Sequence, residues 1–396
     1  MKVLVVNAGS STLKAQLMET KNGKVFCSAN CERIGIDKSF MTYKTDEKHV
    51  IEQNLPNHKA AFTLLLKTIT DKKIGVIKDL GEIKAIGHRM VNFGETYNKS
   101  VVVTKEVLTD LKKNIHFAPL HNPPALSGVE VCLELMPGVT NVAVFDTAFH
   151  STMPEKAFMY ALPYELYEKN KIRRYGAHGT SHRYVALKCK ELLGGSLKGK
   201  KIISCHLGGG SSICAIQDGK SVDTSMGYTP LAGVIMGTRS GDLDPSVFKE
   251  IMNIKKMDAE QTTNYLNKQS GLLGVAGYSD MRDIENNIKN KKVKLAFDMM
   301  VYSIKKYIGA YAAAMNGVDA IVFTAGIGEK DEIVREAVCR DMEYLGLEFD
   351  AEKNVKLHKP FDEIIEISKP TSKVKVFRIP TNEEYMIAMD TAKLAK

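Results

Sequence analysis

The chain opens with an apolar run, Val3-Leu4-Val5-Val6, which stops at a small polar turn, Ala8-Gly9-Ser10-Ser11, and gives way to an alternating stretch over 12–18. Alternation puts every second side chain on one face, so the pattern predicts a strand at 3–7, a returning strand at 12–18 and a hairpin with a polar tip. Short apolar runs predict further strands at 83–87, 139–145, 201–207, 212–217, 320–324 and 374–379. Apolar residues recurring every three to four positions predict helices at 59–70, 105–115, 125–135, 183–193 and 294–315. Hairpins and crossovers are interleaved, so the pattern is α/β without being a purely doubly wound sheet.

A theme recurs without sequence repetition. The first strand runs into Asn7-Ala8-Gly9-Ser10-Ser11, and the strand at 201–207 runs into Gly208-Gly209-Gly210-Ser211-Ser212. The strand at 320–324 runs into a third Gly-rich turn, Ala325-Gly326-Ile327-Gly328-Glu329. Glycine lets backbone N–H groups approach phosphate oxygens closely, and facing loops of this kind can hold a polyphosphate from two sides. One such turn is weak evidence; three, each directly after an apolar strand, are not. No Walker A sequence occurs, which excludes a P-loop enzyme.

Composition narrows the setting. A chain of 396 residues exceeds what one core fills, so two domains are expected. No apolar run approaches the ~20 residues of a membrane span, and the opening run is too short for a secretion signal. The seven cysteines are dispersed and form no C-x-x-C pair, which points to a reducing cytoplasm rather than disulfides or zinc. The net charge of +9 is spread along the chain, and its densest run, 289–294, has no interleaved aromatics. That disfavours nucleic acid and leaves a mild field that gathers anionic substrates.

Several polar residues stand where chemistry is done. Arg89 ends a strand, and its planar fork suits carboxylate or phosphate as well as a surface ion pair. Asp146 follows an apolar strand between Phe145 and Phe149, where it could hold a substrate, hold a metal or cap a turn. His178 lies between Ala177 and Gly179 just before a helix, with Thr180 as the expected N-cap, so helix-end donors gather beside it. Arg239 sits in the loop 236–245, where Asp244 caps the helix that Pro245 starts. Near the C-terminus Thr381 and Glu384 fit a capping box, leaving Glu383 to face a metal.

Taken together, Asn7-Ala8-Gly9-Ser10-Ser11, His88-Arg89, 119–123, 145–150, 178–182, 236–245 and 381–384 resemble the acetate kinase family over essentially the full length and in the same order. The resemblance implies two α/β domains of the sugar kinase and actin-like ATPase fold around a central nucleotide cleft, 1–148 plus 382–396 and 149–381. It implies phosphoryl transfer between ATP and a short-chain carboxylate, in a cytoplasmic homodimer that uses Mg2+, with Mn2+ as a substitute. Residue by residue, Asn7 and Glu383 would be the metal positions and Lys14 would reach nucleotide phosphate. Arg89, Val91, Leu120 and Pro230, with Ala177, would surround the acid. Asp146, His178 and Arg239 would be catalytic. His206, Leu207, Gly208, Gly209 and Gly210, with Asp280, Met281 and Arg282 and with Gly326, Ile327, Gly328, Glu329 and Lys330, would bind the nucleotide.

The chemistry agrees with that assignment. A carboxylate is already a nucleophile at neutral pH, so the work is alignment and charge dispersal, and direct transfer needs no phosphoenzyme. The chain departs from the family pattern at Gly209 and Lys330, where asparagine is usual, at Asn92-Phe93 in place of His-Gly, and at Ala177 in place of phenylalanine. The first two bear on the choice of phosphoryl donor among ATP, GTP and pyrophosphate. The others bear on the acid: loss of a ring at Ala177 predicts a wider acyl pocket that admits propionate or butyrate, unless Phe93 fills it.

Overall fold

The computed structural model describes residues 1–119, 121–355 and 363–396, so Leu120 lies outside the described residues. The chain divides into two compact units, Met1–Ala148 with Asn382–Lys396, and Phe149–Thr381.

Unit 1 is built on strands β1 (Lys2–Ala8), β2 (Thr12–Glu19), β3 (Val25–Glu32), β4 (Phe40–Lys44), β5 (Lys48–Glu52), β6 (Ala85–Met90), β7 (Val101–Val102) and β8 (Thr140–Phe145). They form one sheet in the order β5-β4-β3-β2-β1-β6-β8-β7. Strands β1 to β5 meander antiparallel, while β6 runs parallel to β1 and to β8. Leu4, Val6, Leu13 and Leu17 point to one face and pack with Phe62, Leu65 and Cys132 of the helices His58–Ile69 and Asn122–Leu135. Val3, Val5, Val142 and Val144 point to the other and meet Ile387 and Ala388 of the helix Glu383–Leu394. Gly87 of β6 permits that approach, since a Cβ there would lie 2.7 Å from Ile387 Cγ2 and 2.3 Å from Thr391 Oγ1.

The capping box expected from Thr381 and Glu384 is not formed. Asn382 is the N-cap, and its Oδ1 accepts the Tyr385 N–H at 2.9 Å. An Asx side chain directly before the helix reaches the third N–H at lower entropic cost than the longer pairing. Asn382→Ala is therefore expected to cost ~0.5–2 kcal/mol in urea unfolding. Glu384→Ala should cost less than Asn382→Ala, and the reverse order would restore the capping box.

Unit 2 carries β9 (Lys201–Leu207), β10 (Ser211–Gln217), β11 (Lys220–Thr224), β12 (Ala320–Thr324), β13 (Ile365–Glu366) and β14 (Lys375–Arg378), ordered β11-β10-β9-β12-β14-β13. A three-strand meander is followed by two strands parallel to its first member, as in the order β3-β2-β1-β6-β8 of unit 1. The theme read from the sequence is thus a repeated topology. Ile203, Cys205, Ile321 and Phe323 pack on Phe297, Ile304 and Ile308 of the helix Lys291–Ala314. Ile202, Cys214 and Val322 pack on Val185 and Cys189 of the helix Gly179–Leu192.

Two local expectations change here. The segment after β12 is a short helix, Ala325–Lys330, rather than a loop: Glu329 Oε1 accepts the Ala325 N–H at 2.7 Å and closes the first turn. Thr180 does not cap its helix, because the helix begins at Gly179 and His178 is the N-cap residue in the left-handed region, with φ 57°. Asp244 does cap the helix Pro245–Lys255, accepting the Ser246 N–H at 2.7 Å. All seven cysteines are buried and unbridged.

Candidate active site

In unit 1, the ends of β1, β2 and β6 and the start of the helix Glu383–Leu394 bring Asn7, Lys14, Arg89 and Glu383 to one cavity of about 420 Å3. Asp146, fully buried at the end of β8, accepts from Arg89 twice, from Nε at 3.0 Å and from Nη2 at 2.5 Å, both on Oδ2. The guanidinium expected to await a substrate acid is thus already turned towards a resident carboxylate, and its Nε also lies 3.8 Å from Glu383 Oε2. Val91 lies half-buried just beyond β6.

Glu383 retains a fifth of its side-chain exposure, 19%. Desolvation pushes its carboxyl up to about 7; Arg89 opposes the rise, while Asp146 and Glu384 add to it. Two oxygen donors, the Asn7 amide and this carboxylate with too little cationic compensation, suit a hard divalent cation. Among the described residues no three His, Cys, Asp or Glu side chains form a metal cage. The donor set fits an ion that shares its remaining positions with water and substrate phosphate, as Mg2+ commonly does.

The raised value carries a sign for stability. Between the ordinary carboxylate range and about 7 the folded chain holds a proton that the unfolded chain has lost, so this contribution favours the fold at low pH and is lost as pH rises. Without divalent metal, Glu383→Gln is expected to flatten the fall in urea stability between mildly acidic and mildly alkaline pH. An unchanged slope in the variant would remove Glu383 as its source.

In unit 2, three segments converge on Gly210. A Cβ at that glycine would lie 3.3 Å from Arg239 Nη1 and 3.5 Å from His178 Nε2, so both side chains lean closely over the loop. Arg239 donates to the Pro230 carbonyl at 3.3 Å and touches Met236 Sδ at 3.8 Å. Among the described residues it has no carboxylate partner, and burial pulls its pKa below the usual arginine value. A desolvated cation with no counter-ion is a site prepared for an anion. His178 Nδ1 shares a 2.8 Å hydrogen bond with Ser212 Oγ, and the ring stacks on His206 at 4.0 Å. Ser212 in turn meets His182 Nε2 at 2.8 Å, and burial drives the pKa of His182 far down. The sequence reading passed over Ser212 and His182; the signal was available in Ser211-Ser212 closing the second Gly-rich turn and in the second histidine of 178–182.

The residues expected to bind nucleotide divide. Gly208, Gly209, Asp280, Met281, Arg282, Gly326, Ile327 and Lys330 line one cavity of about 470 Å3 in unit 2. His206, Leu207, Gly210, Gly328 and Glu329 do not line it: Leu207 is core, and Glu329 accepts the N–H groups of Ala325 and Thr381. Asp280 and Arg282 are engaged with each other at 2.7 Å at the exposed mouth.

At the acyl positions, Ala177 is buried against Met226 and Met236, both essentially inaccessible, and its carbonyl accepts from His150 Nε2 at 2.9 Å. The space beside Ala177 is occupied by these two methionines. Phe93 belongs to the core of unit 1, edge-on to Phe145 at 5.7 Å, and Asn92 Oδ1 accepts the Gly94 N–H.

Two units of one sheet order, with Gly-rich turns after apolar strands and cationic side chains over one of those turns, suit phosphoryl transfer. The sequence profile described as the Acetokinase family matches residues 2–389. The chain is 53% identical to the acetate kinase of Thermotoga maritima and 52% identical to that of Caldicellulosiruptor saccharolyticus, over all of this chain and 99% of each relative. The crystal structure of Porphyromonas gingivalis acetate kinase superposes with a TM-score of 0.95 at 47% identity, covering both chains completely. A propionate kinase from Francisella tularensis superposes at 0.92 and 39% identity, over 99% of each chain. The chain belongs to the acetokinase family.

Proposed function

We propose that the chain transfers a phosphoryl group reversibly between ATP and acetate, giving acetyl phosphate and ADP. The observation that carries the chemistry is the half-buried Arg239, without a carboxylate partner among the described residues, leaning with His178 over Gly210. In the forward direction an acetate oxygen forms a bond to the γ-phosphorus as the bond to the β,γ-bridging oxygen breaks. ADP leaves with that oxygen's electron pair, and no proton need move. Arg239 and His178 stabilise charge on the transferring group through preorganised N–H donors, and the small loop beneath them admits the phosphate closely. Arg89, held by Asp146, orients the acid, and Lys14 meets nucleotide phosphate. A magnesium ion held by Asn7 and Glu383, for which manganese would substitute, would neutralise β- and γ-phosphate charge.

The surroundings extend this reading. Among the described residues no helix is long and apolar enough to cross a membrane, and the seven buried thiols suit a reducing cytoplasm. A cytoplasmic homodimer acting on a short carboxylate and a nucleotide, without nucleic acid, is the state we assign; sedimentation of the purified chain tests the dimer.

Trapping the acyl phosphate with hydroxylamine, using ATP and each of acetate, propionate and butyrate, tests the function. Acetate is expected to be preferred, because Met226 and Met236 close the space beside Ala177. Met226→Ala should raise kcat/KM for propionate relative to acetate a few-fold, since each accommodated methylene is worth ~0.8 kcal/mol. No hydroxamate with any acid would defeat the kinase reading. A wild type that favours butyrate would defeat only the pocket argument.

A further inference from the structure

His178 and His182 sit one turn apart at the start of the helix Gly179–Leu192. That helix lies on the sheet face which carries Ser204 and His206 of β9 and Ser212 of β10. Two hydroxyls on this face link the two histidines in series. Ser204 Oγ lies 2.9 Å from His182 Nδ1, and Ser212 Oγ lies 2.8 Å from His182 Nε2. The same Ser212 oxygen lies 2.8 Å from His178 Nδ1. Ser204, His182 and Ser212 are completely buried. His206 stands outside the series: its Nδ1 bonds to Ser181 Oγ, which bonds in turn to Thr381 Oγ1.

The number of hydrogens fixes the direction of this series. Each hydroxyl carries one polar hydrogen, and so does a neutral imidazole. His182 is neutral, because hydroxyls face both of its nitrogens and burial holds its pKa far below the usual value. Ser204, His182 and Ser212 therefore supply three hydrogens for the three contacts. A fourth hydrogen, on His178 Nδ1, would strand one of them in a buried place, forfeiting a bond and the donor's hydration together. Ser204 Oγ has no other hydrogen-bond partner among the described residues, so its hydrogen goes to His182 Nδ1. His182 then donates from Nε2 to Ser212, and Ser212 donates to His178 Nδ1. The one hydrogen of a neutral His178 is left on Nε2, the nitrogen that leans over Gly210 beside Arg239.

We propose that Ser204, His182 and Ser212 are positioning residues that hold His178 as the neutral tautomer with its hydrogen on Nε2. The proposal rests on the phosphoryl-transfer reading above, in which the transferring group needs a donor at that nitrogen and a lone pair there would repel it. Facing the ring are His206, stacked at 4.0 Å, and the Arg239 guanidinium, so Arg239 supplies the charge and His178 an uncharged N–H. The test uses the full chain, free of nucleotide, with 15N-labelled histidine. Long-range 1H–15N correlation separates the two neutral tautomers and the imidazolium, and the signals are identified by their loss in His178→Gln and His182→Gln. At neutral pH both histidines of the wild type should carry hydrogen on Nε2 alone. Ser212→Ala should show His178 as a mixture of tautomers and lower kcat about tenfold, with the KM values for ATP and acetate within about twofold of wild type. An imidazolium or an Nδ1–H tautomer of His178 in the wild type overturns the proposal. So does a Ser212→Ala chain that keeps the wild-type tautomer or the wild-type kcat. The assigned tautomers in a chain that phosphorylates no acid would defeat the kinase reading while bearing this arrangement out.

Discussion

Arg239→Ala lowers kcat by about 10²–10³ while leaving the unfolding midpoint close to that of wild type; this is the first large effect expected. The size is that of removing one preorganised donor from a water-poor site. Stability is spared because Arg239 makes only a 3.3 Å bond to the Pro230 carbonyl and a sulfur contact, and deleting it strands no opposite charge. The loss should fall on kcat and kcat/KM alike, the signature of a contact made in the transition state. Steady-state kinetics with acetate and ATP decide it. A change confined to KM would turn Arg239 into a ground-state binding residue.

The second large effect concerns Arg89 and falls on the fold as well as the reaction. Asp146 has a side chain only 1% exposed, and it accepts from both Nε and Nη2 of Arg89. Arg89→Ala leaves that carboxylate buried beside Glu383 without its cation, and such a loss costs ~3–5 kcal/mol. Restoring charge balance in Arg89→Ala/Asp146→Asn should recover a good part of the stability but none of the activity. Urea unfolding of the wild type, both single variants and the double variant measures the coupling. Additive losses would mean that the pair does not act as a unit, and an increased acetate KM would then be the only mark of Arg89.

These two arginines show how far the sequence could be read. Their positions were legible because each sits in a dense motif, but their commitments were not. Nothing in Gly87-His88-Arg89 says that its fork faces Asp146, since that contact joins β6 to the end of β8 across 57 residues. Strands β9 and β12 were readable to the residue because buried strands are continuous apolar runs. Strand β3 escaped notice because its inward positions are Cys27, Ala29 and Cys31, small residues that barely raise the period-two signal, and β5 because none of its positions is fully buried. The helix after β12 was hidden by Gly326 and Gly328, which read as loop until Glu329 is seen to close its first turn. The neighbours of Ala177 were hidden for a related reason: Met226 and Met236 are distant in sequence, and volume is shared in space.

The helix Glu383–Leu394 completes unit 1 from the far side of the other unit in the chain, and this has a consequence for synthesis. On the ribosome, the strands with Val3, Val5, Val142 and Val144 emerge before the 233 residues of Phe149–Thr381 are made. At ~5–20 residues per second that interval is roughly 10–50 s, during which one apolar face of the nascent sheet lacks Ile387 and Ala388. Unit 2 is contiguous and can mature as it appears, so the usual order of vectorial folding is inverted. A nascent chain arrested before residue 382 should be held by chaperones through its first 148 residues, and emergence of the helix Glu383–Leu394, rather than growth of the sheet, becomes the event that seals it.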